Sequence, residues 1–350
     1  MKHKIERVSM KPKTINMGYI FIVAASVIIV LAGMKIASAI IVPFLLAVFL
    51  SIILAPLFLW LKKIGLGELF SLLTIILLMF ILIASLVTVV GNSLQDFSVN
   101  IPFYEQKLRA DLREMLETLG EWGIKVPKED ILSMFQTSSI MQYIATTLKS
   151  LGSLLTNSFM IILTVTFMLM ELSQFAEKLQ IANKNGFNQF IQVSNKIKYY
   201  MLLKALLSAM TGIIVTIMLE LVGVHYSVLW GLVAFLLNFI PNIGSIIAAI
   251  PAVLMALVQF SFGTALIIGG GYVIINILIG SILEPRILGR GLGLSPLIIF
   301  LSLIFWGWLL GPIGMLLSIP LMIMIKIALD AQDNTRWMAI LLGSGGDRKR

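Results

Sequence analysis

Apolar runs long enough to cross a bilayer, on the order of 18 residues or more, recur along nearly the whole of this 350-residue chain. In lipid every backbone N–H and C=O must find its partner inside the protein, so runs of this length fold as helices. Only 12% of the residues are charged and the mean hydropathy is +1.01, whereas a soluble domain carries about 25% charged residues. The fold class is therefore an all-α polytopic membrane protein. The formal net charge of +9 does not point to nucleic acid as a partner, because the basic residues cluster beside apolar spans, where the inner leaflet explains them. Membrane lipid is the partner these clusters imply. Cysteine is absent, which removes disulfide, haem-attachment and thiolate-metal chemistry. The opening MKHKIERVSMKPKTINMGYIFIVAASVIIV has no convincing small-residue cleavage pattern and reads as a retained first span.

About eight hydrophobic segments follow one another. Three spans at 17–34, 36–61 and 69–90 form an N-terminal unit, 1–90. Residues 91–150 carry eight acidic and six basic side chains and read as an extracytoplasmic amphipathic region. Its stripe Tyr104, Leu108, Leu112, Met115 and Leu119 has helical spacing, with Pro102 placed near a helix start. A second stripe is Ile131, Met134, Phe135, Ile144 and Leu148. Spans at 151–172 and 201–223 make up the unit 151–224. The basic linker between them, 173–200, is expected to lie along the inner interface through Phe190, Val193, Ile197 and Met201. A C-terminal transport core covers 225–330 and a tail 331–350. Lysine and arginine bias puts both termini in the cytoplasm.

Two segments are too long for one span. Residues 227–258 would reach roughly 48 Å as one helix, against a hydrocarbon core of roughly 30 Å. Pro241 and Gly244 interrupt this segment, and Gly311, Pro312 and Gly314 interrupt 295–327. The breaks read alike, PNIGSIIAAIP at 241–251 and GPIGMLLSIP at 311–320. Either both are re-entrant hairpins, with 284–290 facing the cytoplasm, or each crosses once, with 284–290 outside. The +1 balance of Glu284, Arg286 and Arg290 favours hairpins. Paired interrupted helices mark the central site of many transporters.

Polar residues within these segments are the candidate substrate path. Asn238 and Asn242 flank Pro241 and serve either turn chemistry or path lining. Asn276 sits deep in 262–283, where an amide ties helices together or binds something polar. Glu284 and Arg286 form either a loop contact or an intramembrane functional pair, with Pro285 expected to keep the chain extended or turned. Pro241, Gly244, Pro312 and Gly314 shape the breaks. Glu220 and Glu284 are the candidate ion-coupling carboxylates, while Glu171 and Lys204 read as ordinary span ends. Gly269, Gly270 and Gly271 allow close helix contact. No Walker pattern, HExxH, nucleophile elbow or histidine cluster occurs, so neither an ATP-driven pump nor an enzyme is indicated, and no cofactor or metal is expected.

The strings FIPNIGSIIAAIP at 239–251, NILIGSILEPRILGRGLGLSPL at 276–297 and FWGWLLGPIGMLLSIPL at 305–321 resemble the autoinducer-2 exporter family of bacterial membrane proteins. The span spacing and the polar region after span three also fit. The resemblance is closest to the branch that exports the quorum-sensing signal autoinducer-2. It implies a secondary transporter of the bacterial inner membrane, a homo-oligomer, with pentamers suggested for the signal-exporting branch. By motif position, Pro241, Gly244, Pro251, Glu284, Pro285, Gly289, Pro312, Gly314 and Pro320 carry the family pattern. The small polar solute that the resemblance implies is autoinducer-2 or a similar compound. The alternatives are sodium (lithium)/proton antiport and a membrane scaffold acting through 91–150.

Overall fold

The computed structural model describes residues 17–121, 158–182, 184–241, 243–288 and 293–343. The second amphipathic stripe, Asn242, Gly289, Arg290 and the end of the tail lie outside the described residues. In chain order the helices are α1 Met17–Ile36, α2 Ser38–Lys63, α3 Glu68–Glu121, α4 Ser158–Ala182, α5 Lys184–Val222, α6 Ser227–Leu237, α7 Gly244–Gln259 and α8 Phe262–Ile275. A π-helix at Asn276–Leu283 follows, then α9 Glu284–Leu288, α10 Pro296–Asp330 and α11 Arg336–Leu341.

Among the described residues five helices are long and apolar enough to cross a membrane: Ser38–Lys63, Glu68–Tyr104, Gly186–Val222, Phe262–Ile287 and Pro296–Asp330. Phe21–Ile36, Ser158–Leu172, Ser227–Leu237 and Gly244–Gln259 are shorter apolar helices. The fold is thus all-α and multi-pass, with five long spans in place of the eight comparable segments read from hydropathy. The long spans bury only 17–33% of their most apolar windows. The rest of that surface is apolar and suited to lipid, since a bilayer does not drive it inward.

Three buried clusters hold the helices together. Ala47, Phe58, Leu72, Ile75, Val165 and Leu169 join α2, α3 and α4. Phe49, Ile197, Tyr200, Phe239, Leu310 and Leu317 join α2, α5 and α10 with the turn after α6. Phe97, Tyr104, Leu219, Trp230, Ala252 and Tyr272 join α3, α5, α6, α7 and α8.

Two expectations about the helices do not hold. Pro102 does not start a helix but lies inside α3, which runs without a break through the boundary expected at 90–91. Proline costs one ladder bond, but Phe97 and Tyr104 on either side of it are buried in the cluster with α6 and α7, and that packing carries the helix across. The linker 173–200 is not a separate surface helix. It forms the end of α4 and the first half of α5, and Ile197 and Met201 are buried against α2 and α10.

Both interrupted segments fold back on themselves. α5 ends at Gly223 (φ 83°), whose left-handed backbone lets Val224 N–H reach Leu219 C=O at 2.9 Å in a Schellman-type stop. α6 and α7 then return to nearly the same place, since His225 N–H donates to Gln259 Oε1 at 2.9 Å. In one straight helix these residues would stand about 51 Å apart. Within α10 the break falls at Gly311 (φ 71°, ψ −156°), and Ser302 Oγ donates to Ser318 C=O at 3.0 Å, against about 24 Å in a straight helix. A Cβ at Gly244 would collide with Leu237 C=O, and one at Gly314 with Trp306 C=O. The glycine three residues after Pro241 and the glycine two residues after Pro312 therefore make the same kind of close return.

Candidate functional site

α5 and the α8–π–α9 run lie antiparallel, because Lys204 meets Glu284 at one level and Met218 meets Gly271 at another. α7 lies antiparallel to α8, with Ser245 against Asn276 and Val253 against Gly269. Two of the three adjacent glycines thus face neighbouring helices, while Gly270 faces open space.

Three polar side-chain pairs cross this seam. Lys204 Nζ is 2.7 Å from both Glu284 carboxylate oxygens. Asn238 Nδ2 donates to Ser208 Oγ at 3.1 Å. Ser245 Oγ donates to Asn276 Oδ1 at 2.8 Å. Lys204 and Ser208 are four residues apart, so they share one face of α5. Asn238 projects from the turn after α6 and Ser245 from the first turn of α7. The seam is therefore a ladder of paired polar groups inside an apolar bundle, where each group needs its partner.

The π-helix shapes this ladder. Its i→i+5 bonding continues to the end of the segment, where Glu284 N–H reaches Ile279 C=O. In an unbroken α-helix Glu284 would stand about 120° around the axis from Tyr272. With the wider π turn, roughly 4.4 residues, it comes back to within about 30°. Gly280 belongs to the same device, because a Cβ there would lie 2.9 Å from Asn276 Oδ1.

The expected site residues fall into two groups. Asn238, Gly244, Asn276 and Glu284 come together at the seam, with Pro241 partly buried in the adjoining turn. Pro312 and Gly314 lie at the tip of the α10 fold-back; that tip and Phe239 share one buried cluster. Arg286 is exposed and makes no ion pair among the described residues. Two residues along a helix point to nearly opposite sides, so Glu284 cannot hold it. Pro285 is helical, as the second residue of α9, not extended; α9 continues the π-helix directly, and the helix carries on through the proline at the cost of one ladder bond. Glu220 accepts from Ser227 Oγ, about 24 Å along α5 from Lys204. Beside it Tyr104 Oη and His225 Nδ1 are 3.0 Å apart.

Lys204 is the residue that sequence reading misses. It stands near the start of the span expected at 201–223 and so reads as a span end, yet its side chain is only 2% exposed. A lysine four residues before a serine, in the middle of a 39-residue helix, is the available signal. Glu171 does behave as an exposed span end, paired with Lys178 at 2.7 Å.

The AI-2E family transporter pattern matches residues 24–334. The AI-2 transport protein TqsA of Escherichia coli K12 is 38% identical over 335 residues, covering 94% of this chain and 96% of the relative. The putative transport protein YhhT of the same organism is 34% identical, covering 95% and 96%. A putative transport protein of Haemophilus influenzae Rd is 36% identical, covering 93% and 96%. The chain belongs to the AI-2E family of transporters. It is a multi-pass inner-membrane transporter, and its family is not one of enzymes.

Proposed function

We propose that this transporter exports autoinducer-2, or a similarly small and polar solute, along the seam between α5, α7 and α8. The observation that carries the reading is the ladder of three polar pairs, one buried and two partly buried, in an otherwise apolar bundle. Autoinducer-2 is small, hydroxylated and uncharged unless complexed with borate, and neutral amide and hydroxyl groups suit it. The similarity to TqsA, named as an AI-2 transport protein, supports the same choice.

Both fold-backs act as re-entrant hairpins with both termini in the cytoplasm. The α6–α7 hairpin enters from outside and the α10 hairpin from inside, so the tips approach mid-membrane from opposite faces, as in inverted-repeat transporters. Residues 284–290 then face the cytoplasm. Transport proceeds by alternating access, with the hairpins and α8 moving against α1–α5. The chain works as a homo-oligomer, a pentamer being the expected number.

Sodium/proton antiport ranks second. It needs a carboxylate free to exchange a proton for a cation, but both Glu284 oxygens are held by an ammonium and Glu220 accepts from Ser227. A scaffold role through 91–150 ranks third. Purified protein in liposomes decides between them. Saturable autoinducer-2 movement supports export; sodium-dependent proton flux without it would replace export with antiport.

A further inference from the structure

Three buried side-chain atoms have no hydrogen-bond partner among the described residues: Tyr200 Oη, Tyr272 Oη and Gln259 Nε2. The two tyrosines flank the seam, Tyr200 in the buried cluster of α2, α5 and α10 and Tyr272 in that of α3, α5, α6, α7 and α8. Tyr200 is 1% exposed and Tyr272 4%. Tyr200 precedes Lys204, whose ammonium holds the Glu284 carboxylate, by one turn on the same face of α5. Tyr272 precedes Asn276 by one turn of α8, on the face to which the π-helix returns Glu284. The six side chains of the three pairs between them are all partnered.

The antiparallel register places Tyr272 level with the stretch of α5 next to Met218. Tyr200 and Tyr272 therefore stand about 25 Å apart along the seam, close to the roughly 30 Å of the hydrocarbon core. A phenylalanine at either position would fill the same space without burying an unpaired hydroxyl, which is unfavourable. A phenol both donates and accepts and carries no charge. It can thus take over hydrogen bonds that a neutral hydroxylated solute leaves behind in water, while offering nothing strong to an ion.

We propose that the hydroxyls of Tyr200 and Tyr272 are solute-binding groups at the two ends of the path, each exchanging hydrogen bonds with the hydroxyls of a small neutral solute. The proposal rests on the export reading above. The test is autoinducer-2 flux into liposomes carrying wild-type, Tyr200→Phe or Tyr272→Phe protein, with the melting temperature of each. Each variant is expected to raise KM about tenfold, the equivalent of about 1.4 kcal/mol, and to melt no lower than wild type. An unchanged KM overturns the assignment for that tyrosine, as does flux lost together with melting temperature. No flux from wild-type protein overturns the export reading and this proposal with it; flux that is equal in all three overturns this proposal alone.

Discussion

Removing one partner of the Lys204–Glu284 pair tests the seam most sharply at the level of stability. Separating a buried pair by deleting one member costs about 3–5 kcal/mol, because the other charge stays behind uncompensated. The two deletions are not equivalent here. Glu284→Gln strands an ammonium whose side chain is 2% exposed, whereas Lys204→Met strands a carboxylate that is 16% exposed and can draw on water. Glu284→Gln is therefore expected near the upper end of that range and Lys204→Met near the lower. The double variant buries no charge and is expected to lose less than the sum of the two, by about 2 kcal/mol or more. The assay is thermal unfolding of purified protein in detergent, followed by tryptophan fluorescence. At about 2 °C per kcal/mol for a chain of this size, Glu284→Gln should melt roughly 10 °C lower and Lys204→Met roughly 6 °C lower. Single variants that melt with wild type, or a double variant whose loss equals the sum, would refute the reasoning.

Further expectations concern the glycines and the far end of α5. Gly280→Ala should push the Asn276 carboxamide off Ser245 and slow autoinducer-2 flux with little loss of melting temperature. Gly244→Ala and Gly314→Ala, which meet backbone carbonyls, should reduce the yield of folded protein, while Gly270→Ala, which meets open space, should gain about 0.5–1 kcal/mol in thermal unfolding. Gly311→Ala has room, but φ 71° with ψ −156° is a conformation essentially reserved for glycine, so a loss of about 1–3 kcal/mol is expected from the backbone alone. Glu220→Gln keeps an acceptor for Ser227 and should leave autoinducer-2 flux unchanged; its loss there would make Glu220 a carboxylate that couples proton movement to export.

Much of the fold was legible because lipid makes length and hydropathy decisive. α1 and α2 fall where the apolar runs place them, and the two Pro/Gly breaks fall at the residues quoted. Asn238, Asn276 and Glu284 were legible as polar residues in apolar surroundings. Their partners were not, because Ser208, Ser245 and Lys204 pair across helices, and single-sequence periodicity carries no information about which helices touch. The π-helix leaves no mark in NILIGSIL beyond its glycine. Pro102 and Pro285 misled for a shared reason: proline preferences are local, and packing at Phe97 and Tyr104 or an adjoining π turn overrides them.

The central claim is that solute moves through the seam as α8 shifts against α5. A Cβ at Gly271 would lie 3.7 Å from Met218 Cγ, close to where a cysteine sulfur at position 218 would sit, so Met218→Cys with Gly271→Cys is within reach of disulfide geometry. The chain has no cysteine of its own. The measurement is autoinducer-2 flux through this double variant in liposomes, oxidised and then reduced. The account expects flux to stop on oxidation and return on reduction. Equal flux in the cross-linked and reduced protein would contradict it.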